Sequence, residues 1–142
     1  MRISLAVFVV GGVLVACGGA EPNAAPVARA PACAVPVTFG NQSAYTTSAL
    51  EPNALASARS ALHDARACDR PLKLAFALGA TEDDGSAVRA ELHVSVLSAS
   101  DALVATSSVT VRMPKPVSET DVASAVGRAA AVLAKKVTAE VR

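Results

Sequence analysis

Apolar and polar residues alternate most regularly in LKLAFAL at positions 72–78 and in AVRAELHVSVL at positions 87–97. This period of two is typical of β-strands that bury one face. Between them, residues 79–86 contain Glu82-Asp83-Asp84-Gly85, a composition typical of a turn. The two segments therefore predict an antiparallel hairpin with a solvated tip, and the rest of the domain is built outward from it.

One further strand is predicted on each side of this hairpin in the sequence. The segment 103–113 alternates again after a short turn at 98–101. Its inward face is predicted to carry Leu103, Ala105, Val109 and Val111. On the N-terminal side, the apolar run at 34–39 predicts the first strand of the chain.

A first helix is predicted between the first two strands, from about Ser48 to Arg66. Ser48 and Glu51 have the spacing of a capping box, and Pro52 suits a first helical turn. Apolar residues recur at helical spacing at Leu55, Ala58, Leu62 and Ala65.

The last helix is predicted to begin at Ser118. Glu119 and Asp121 follow at its positive end, where acidic side chains are favourable. Its predicted buried stripe consists of Val122, Val126, Ala129, Leu133, Val137 and Val141.

The predicted order is β-α-β-β-β-α, which indicates an α+β fold. A helical connection makes the first two strands parallel, and two hairpins then add the remaining strands. We therefore expect residues 33–142 to form a single small domain. It should be a two-layer sandwich, with two helices on one face of a four-stranded mixed sheet.

The N-terminal segment has the features of an export signal. Arg2 precedes an apolar run at 3–16, which is shorter than the roughly 20 residues of a membrane-spanning helix. The run ends in Leu14-Val15-Ala16-Cys17, which resembles the lipobox of bacterial lipoproteins. The resemblance implies that residues 1–16 are a signal peptide and that Cys17 carries the lipid. The alternative is an ordinary signal peptide or an anchor helix.

Residues 17–32 are rich in proline and alanine and have no apolar period. This composition favours a semi-extended, lipid-anchored tether, although a poorly ordered terminus without a spacer role fits equally well. In enteric bacteria an Asp after the lipidated cysteine favours retention in the inner membrane. Gly18 therefore favours the outer membrane if the organism is Gram-negative, and we expect a lipid-anchored location there, facing the periplasm.

Two cysteines remain once Cys17 is assigned to the lipid. In an exported chain, Cys33 and Cys68 are candidates for a disulfide. Two free thiols, or a metal or redox site, are the alternatives. Each cysteine precedes one of the two strands predicted to be parallel, so both should lie at one end of the sheet.

The domain is similar in element order to the outer-membrane lipoprotein family that partners the lipopolysaccharide-translocation barrel. Lipoproteins that activate peptidoglycan synthases are a looser comparison. The alternating third and fourth strands and the final helix carry the resemblance, through Arg128-Ala129-Ala130, Leu133, Lys135 and Lys136. It implies a non-enzymatic accessory role in envelope assembly.

Motifs for catalysis are missing from the sequence. His63 and His93 have no nucleophile at a recognisable spacing, and no phosphate-binding glycine loop or calcium loop occurs. We therefore predict no enzyme activity, no cofactor and no metal. The net charge of +1 and the 3% aromatic content give no case for nucleic-acid binding.

The polar face of the sheet is the remaining candidate site. Besides Lys73 and Ser108, it is predicted to display Arg89, Glu91, His93, Thr106, Thr110 and Arg112. This face is either a simple solvated surface or a docking surface for an envelope protein. An open strand edge could also accept a partner strand. The alternative function is a periplasmic ligand-binding module with a pocket between helices and sheet.

Overall fold

The structure is a computed structural model that describes residues 33–141. The predicted signal peptide at 1–16, the tether at 17–32 and the lipidated Cys17 lie outside the described residues. The elements follow in the order β1 (Val37–Asn41), α1 (Leu50–Asp64), β2 (Leu72–Leu78), β3 (Glu82–Asp83), β4 (Ala87–Ser98), β5 (Leu103–Pro114) and α2 (Glu119–Glu140).

The sheet is mixed, as predicted from the helical connection between the first two strands. β1 pairs parallel with β2, β2 pairs antiparallel with β4, and β4 pairs antiparallel with β5 along its length. The fold class is therefore confirmed as α+β, with two helices and an open sheet.

The sheet has five strands rather than the predicted four, because the hairpin loop contains the short strand β3. Glu82 and Asp83 pair with Arg89 and Val88, continuing along β4 beyond the end of β2. The turn that returns the chain to β4 needs a positive φ of 91° at Gly85, which glycine adopts without strain.

The first strand lies later than predicted. It covers Val37–Asn41 instead of residues 34–39, because its register with β2 starts at Val37 opposite Leu74. Pro36 precedes it and has no N–H for a ladder, although its carbonyl still accepts a hydrogen bond from the Leu74 N–H.

The predicted capping box at the start of α1 is wrong. The N-cap is Ala49, which has no side-chain cap, and the Thr47 hydroxyl accepts from the Ala49 N–H instead. The buried face also differs from the prediction, because Ala65 already lies past the helix and is exposed, and Leu55 is half-buried. Buried residues of α1 are Leu50, Ala54, Ala58, Ala61 and Leu62.

The start of α2 is confirmed in detail. The Ser118 hydroxyl accepts from the Asp121 N–H, and the Asp121 carboxylate accepts from the Ser118 N–H, so the capping box is complete. Val122, Val126, Leu133 and Val137 are buried as predicted, whereas Ala129 and Val141 are half-buried.

The two helices pack closely because their facing side chains are small. A Cβ added at Gly127 of α2 would lie 3.0 Å from the Ser57 hydroxyl and 3.5 Å from the Asn53 carbonyl oxygen of α1. Ala54 and Ala58 are completely buried on α1. The alanine-rich composition is therefore used for close helix packing, with leucines and valines filling the layer against the sheet.

One predicted inward residue of β5 faces the other way. A β-bulge leaves Leu97 opposite Leu103 and Val96 opposite Ala105, so that Val104 has no partner on β4. Side chains on a strand alternate, and this extra residue moves Leu103 to the outer face with Leu97. Leu103 is consequently 63% exposed, which corrects the prediction that it is buried.

Candidate functional site

The outer face of the sheet, which α1 and α2 leave uncovered, holds every residue predicted for the docking face. The register places Arg89 opposite Arg112, Glu91 opposite Thr110, and Thr106 opposite Ser95. His93 lies opposite Ser108 on the same face. All six of the predicted docking residues are exposed. We call this surface the outer face.

Hydrogen bonds join side chains across the middle of the outer face. The Ser108 hydroxyl donates to Glu91 Oε2 at 2.8 Å, and His93 Nε2 lies 3.7 Å from Glu91 Oε1. His93 and Glu91 are about half-exposed, so solvent screens this contact. Such an arrangement leaves hydrogen-bond donors and acceptors exposed on the outer face.

Asp84 organises the charged end of the outer face. Its Oδ1 accepts from the Ala87 N–H at 2.8 Å and from the Ser86 N–H at 3.0 Å. Its Oδ2 accepts two hydrogen bonds from the Arg89 guanidinium, and Arg112 lies 3.9 Å away. The Arg89 hydrogen bonds, followed by those from the backbone, hold the pKa of Asp84 well below its ordinary value.

Asp83 makes a second ion pair at the same end. Its carboxylate contacts Lys115 Nζ at 2.5 Å and accepts from the Gly85 N–H at 2.8 Å. These two partners, the lysine first, lower the pKa of Asp83. The loop thus clamps the ends of β4 and β5 together, in place of the freely solvated tip expected from the sequence.

Sequence reasoning missed this role of Asp84, although a signal for it exists. Asp-Gly turns favour carboxylate hydrogen bonds to the next backbone N–H groups, and Arg89 stands a few residues later on the strand that leaves the turn. The contact with Arg112 depends on the β4–β5 register, which local sequence does not specify.

The opposite end of the outer face is partly apolar. Leu97 faces outward there by the alternation of β4, Leu103 does so because of the bulge, and Val104 is 47% exposed. Beside them Lys73 Nζ lies 2.7 Å from Asp101 Oδ1 in an exposed ion pair. The predicted polar residue Lys73 is therefore paired within the domain.

The remaining cysteines form a disulfide. Cys33 and Cys68 are bonded, with their Cα atoms 4.6 Å apart, and the Ala34 N–H donates to the Cys68 carbonyl. They lie just before β1 and β2, whose parallel pairing brings both starts to one end of the sheet. This confirms the first of the three alternatives for the two cysteines.

Near the disulfide, Arg70 closes the C-terminus of α2. Its guanidinium donates to the carbonyls of Thr138 and Val141, groups that the helix itself leaves without partners. A cleft of about 820 Å³ adjoins it, lined among others by Pro71, Leu72 and Lys135. Its lining also includes Ala65 at the end of α1 and Thr138 of α2, so both helices and the start of β2 contribute to it.

His63, the other histidine, is exposed in the last turn of α1. Within residues 33–141, no three His, Cys, Asp or Glu side chains are grouped so that they could hold a metal ion. Neither helix of this region combines the length and apolarity required to cross a membrane.

No protein-family model and no curated protein matches the chain. Among solved structures, two of the PelC dodecamer from Paraburkholderia phytofirmans share 15% and 16% of aligned residues with it, at TM-scores of 0.46 and 0.45. The matches cover 73% and 75% of this chain and 88% and 87% of that one.

A provisionally assigned lipoprotein of Caulobacter crescentus CB15 is similar at 17% identity and a TM-score of 0.38, covering 70% of this chain and 86% of that protein. At these identities and scores, the similarities transfer no function to this chain.

Proposed function

We propose that this chain is a lipid-anchored lipoprotein of the cell envelope whose domain docks another protein and has no catalytic role. The observation that carries the docking role is the uncovered outer face of the sheet. One layer of helices covers the opposite face, and the exposed face presents Arg112, Glu91 and a row of hydroxyl groups.

The lipobox Leu14-Val15-Ala16-Cys17 supports the anchoring part of the proposal. A diacylglyceryl thioether on Cys17 together with an acylated amino terminus would hold the protein firmly, because several acyl chains bind where one alone dissociates. The Cys33–Cys68 disulfide supports export, since such bonds persist in oxidising compartments and are rare in the cytosol.

The shape of the outer face supports a flat protein partner over a small molecule. The side chains of Ala75, Ala77 and Ser95 are short, so the middle of this face has no deep pocket walls. Charged side chains lie at the end of the outer face beside the β3–β4 turn, where Arg89 and Arg112 flank Asp84. Such a flat surface with a charged margin suits a protein that brings an acidic or hydroxyl-rich patch.

Site-specific photo-cross-linking in living cells tests the docking role. A benzophenone amino acid replaces Thr106 or Thr110 on the outer face, and replaces the exposed Ser60 on α1 as the matched control. We expect both outer-face positions to give a cross-linked species that contains a different protein, distinguished by mass from a dimer of this chain, and position 60 to give none. Equal cross-linking from all three positions, or none from the outer face, would contradict the proposal.

Two arginine variants, one on the outer face and one on α2, give a second, independent test of docking. Arg112→Ala should weaken the cross-link from position 106, while Arg128→Ala on the exposed side of α2 should leave it unchanged. Equal effects of the two variants would show that the outer face has no special part in docking.

A further inference from the structure

The middle of the sheet edge formed by β5 lacks the features that normally protect an edge strand. β5 has 12 residues, and within 33–141 it pairs only with β4. Protective elements lie only at its ends: the bulge at Val104, Arg112, and Pro114. Residues 105–111 contain neither charge nor proline. The opposite edge, β1, has only 5 residues.

The last helix packs against β5 but covers only part of its helix-facing side, where Val111 and Met113 are buried. Ala105, Ser107 and Val109 face the helices but are only half-buried, and Val132 of α2 is 59% exposed. Apolar surface therefore remains uncovered beside a row of backbone groups available for pairing.

We propose that a second copy of this chain occupies the β5 edge, so that the two β5 strands pair antiparallel about a twofold axis centred on Val109. Isologous pairing of this kind uses the same surface on both copies. It would join the two sheets and bring the half-exposed Val109 side chains together on the helix side of the joint sheet.

The register follows from the sequence of β5. Pairing that keeps the helix-facing residues together must match odd positions with odd positions, since side chains alternate along a strand. Centring on Val109 uses the whole regular segment between the bulge and Pro114. It sets Ala105 opposite Met113, Ser107 opposite Val111 and Ser108 opposite Thr110.

The charge distribution along β5 permits this choice of occupant. The single charged residue of segment 105–113 is Arg112, and the register places it opposite Thr106 of the second copy. No like charges face each other, which would destabilise a pair of opposing side chains. The strand can therefore pair with a second copy of itself without like-charge repulsion.

The joint sheet would place the outer faces of both copies side by side. This inference goes beyond the docking role and does not depend on Cys17, because β5 lies wholly within the described domain. A failure of lipidation would leave it intact, and a failure of β5 pairing would leave the lipid anchor intact.

Cysteine pairing between two differently tagged full-length copies tests the register. One copy carries Ser108→Cys and the other carries Thr110→Cys, and membranes from cells that express both are oxidised with copper phenanthroline. Directly opposite residues have Cα atoms about 4.5–5.5 Å apart, within the range of a disulfide. Two copies of the same variant place their cysteines about 7–8 Å apart on the diagonal.

We expect a disulfide-linked species with both tags from the mixed pair, and little or none from either variant alone or from the unaltered chain. Absence of the species in the mixed pair would overturn the proposal. Equal linkage in the single variants, or in the unaltered chain through Cys17, would overturn the register.

A charge at the centre of the interface gives a second test. Val109→Lys in both copies places two lysines opposite each other, so the linked species should be lost, while Val109→Leu should retain it. The Cys33–Cys68 disulfide, measured by the mass change on reduction, reports that the domain still folds. Linkage that persists in a folded Val109→Lys protein would contradict the proposal.

Discussion

At the residue scale, Asp84 makes several hydrogen bonds that hold the turn before β4, although it lies in an exposed loop. One carboxylate satisfies two backbone N–H groups and the Arg89 guanidinium, which fixes the turn between β3 and β4. Because this depends on the ionised form, the pKa of Asp84 is lowered from its ordinary 3.8. Its contribution to stability therefore depends on pH.

Asp84→Asn should lower the Tm of the domain modestly at pH 7, because solvent screens much of the ion pair. Between the lowered and the ordinary pKa the unfolded chain binds more protons, so stability falls on acidification. The contribution of Asp84 to stability is complete at pH values above its ordinary pKa of 3.8. It disappears as the pH falls through the lowered pKa that Asp84 has in the folded protein. Thermal unfolding from pH 7 to strongly acidic pH should therefore show the two proteins converging, and a constant difference would refute this.

Gly127 is the residue on which the close approach of the helices depends. Gly127→Leu should destabilise the domain by about 1–3 kcal/mol, because the added side chain meets Ser57 and the α1 backbone. Val132→Leu on the exposed side of the same helix should change stability by less than about 0.5 kcal/mol. Urea unfolding measures both, and equal effects would disprove close packing at Gly127.

At the element scale, the predictions that succeeded are those that depend on local pattern. LKLAFAL became β2 with the predicted bounds, and Ser118 with Asp121 caps α2. Alternation and capping involve neighbours within a few residues, so the sequence alone displays them.

The elements that were mispredicted depend on contacts between distant residues. Leu103 faces outward because of a bulge set by pairing with Leu97, and β1 begins where Pro36 and the partner β2 allow. β3 forms because β4 extends beyond the end of β2, so that residues 88 and 89 of β4 are free to pair with it. The residues predicted for the outer face do share one side of the sheet, because that grouping needs only the alternation of β4 and β5.

The C-terminus of α2 depends on Arg70, which is far from it in sequence. Arg70→Met should loosen the last turn by about 1.5–3 kcal/mol, the typical worth of a hydrogen bond to a charged group. Hydrogen exchange at the amides of residues 137–141 measures this directly. Lys136→Met on the same helix is the control, and equally fast exchange in both variants would contradict the capping role.

At the scale of the whole molecule, the disulfide stabilises a domain whose core consists largely of alanine, valine and leucine. It closes a loop with a sequence separation of 35. Replacing both Cys33 and Cys68 with serine should cost about 3 to 4 kcal/mol if the unfolded-state entropy model holds. Reductant should destabilise the unaltered protein by a similar amount and leave the double variant unchanged; a response of the double variant would refute this.

The proposed protein is exported and held at a membrane by lipid on Cys17, with Cys33 and Cys68 bonded. Intact mass spectrometry of the protein extracted from membranes tests it most directly, before and after reduction. The account predicts a chain that begins at Cys17 and is heavier by its acyl groups, gaining the mass of two hydrogen atoms on reduction. An unacylated chain that still begins at Met1, or a mass that reduction leaves unchanged, would contradict it.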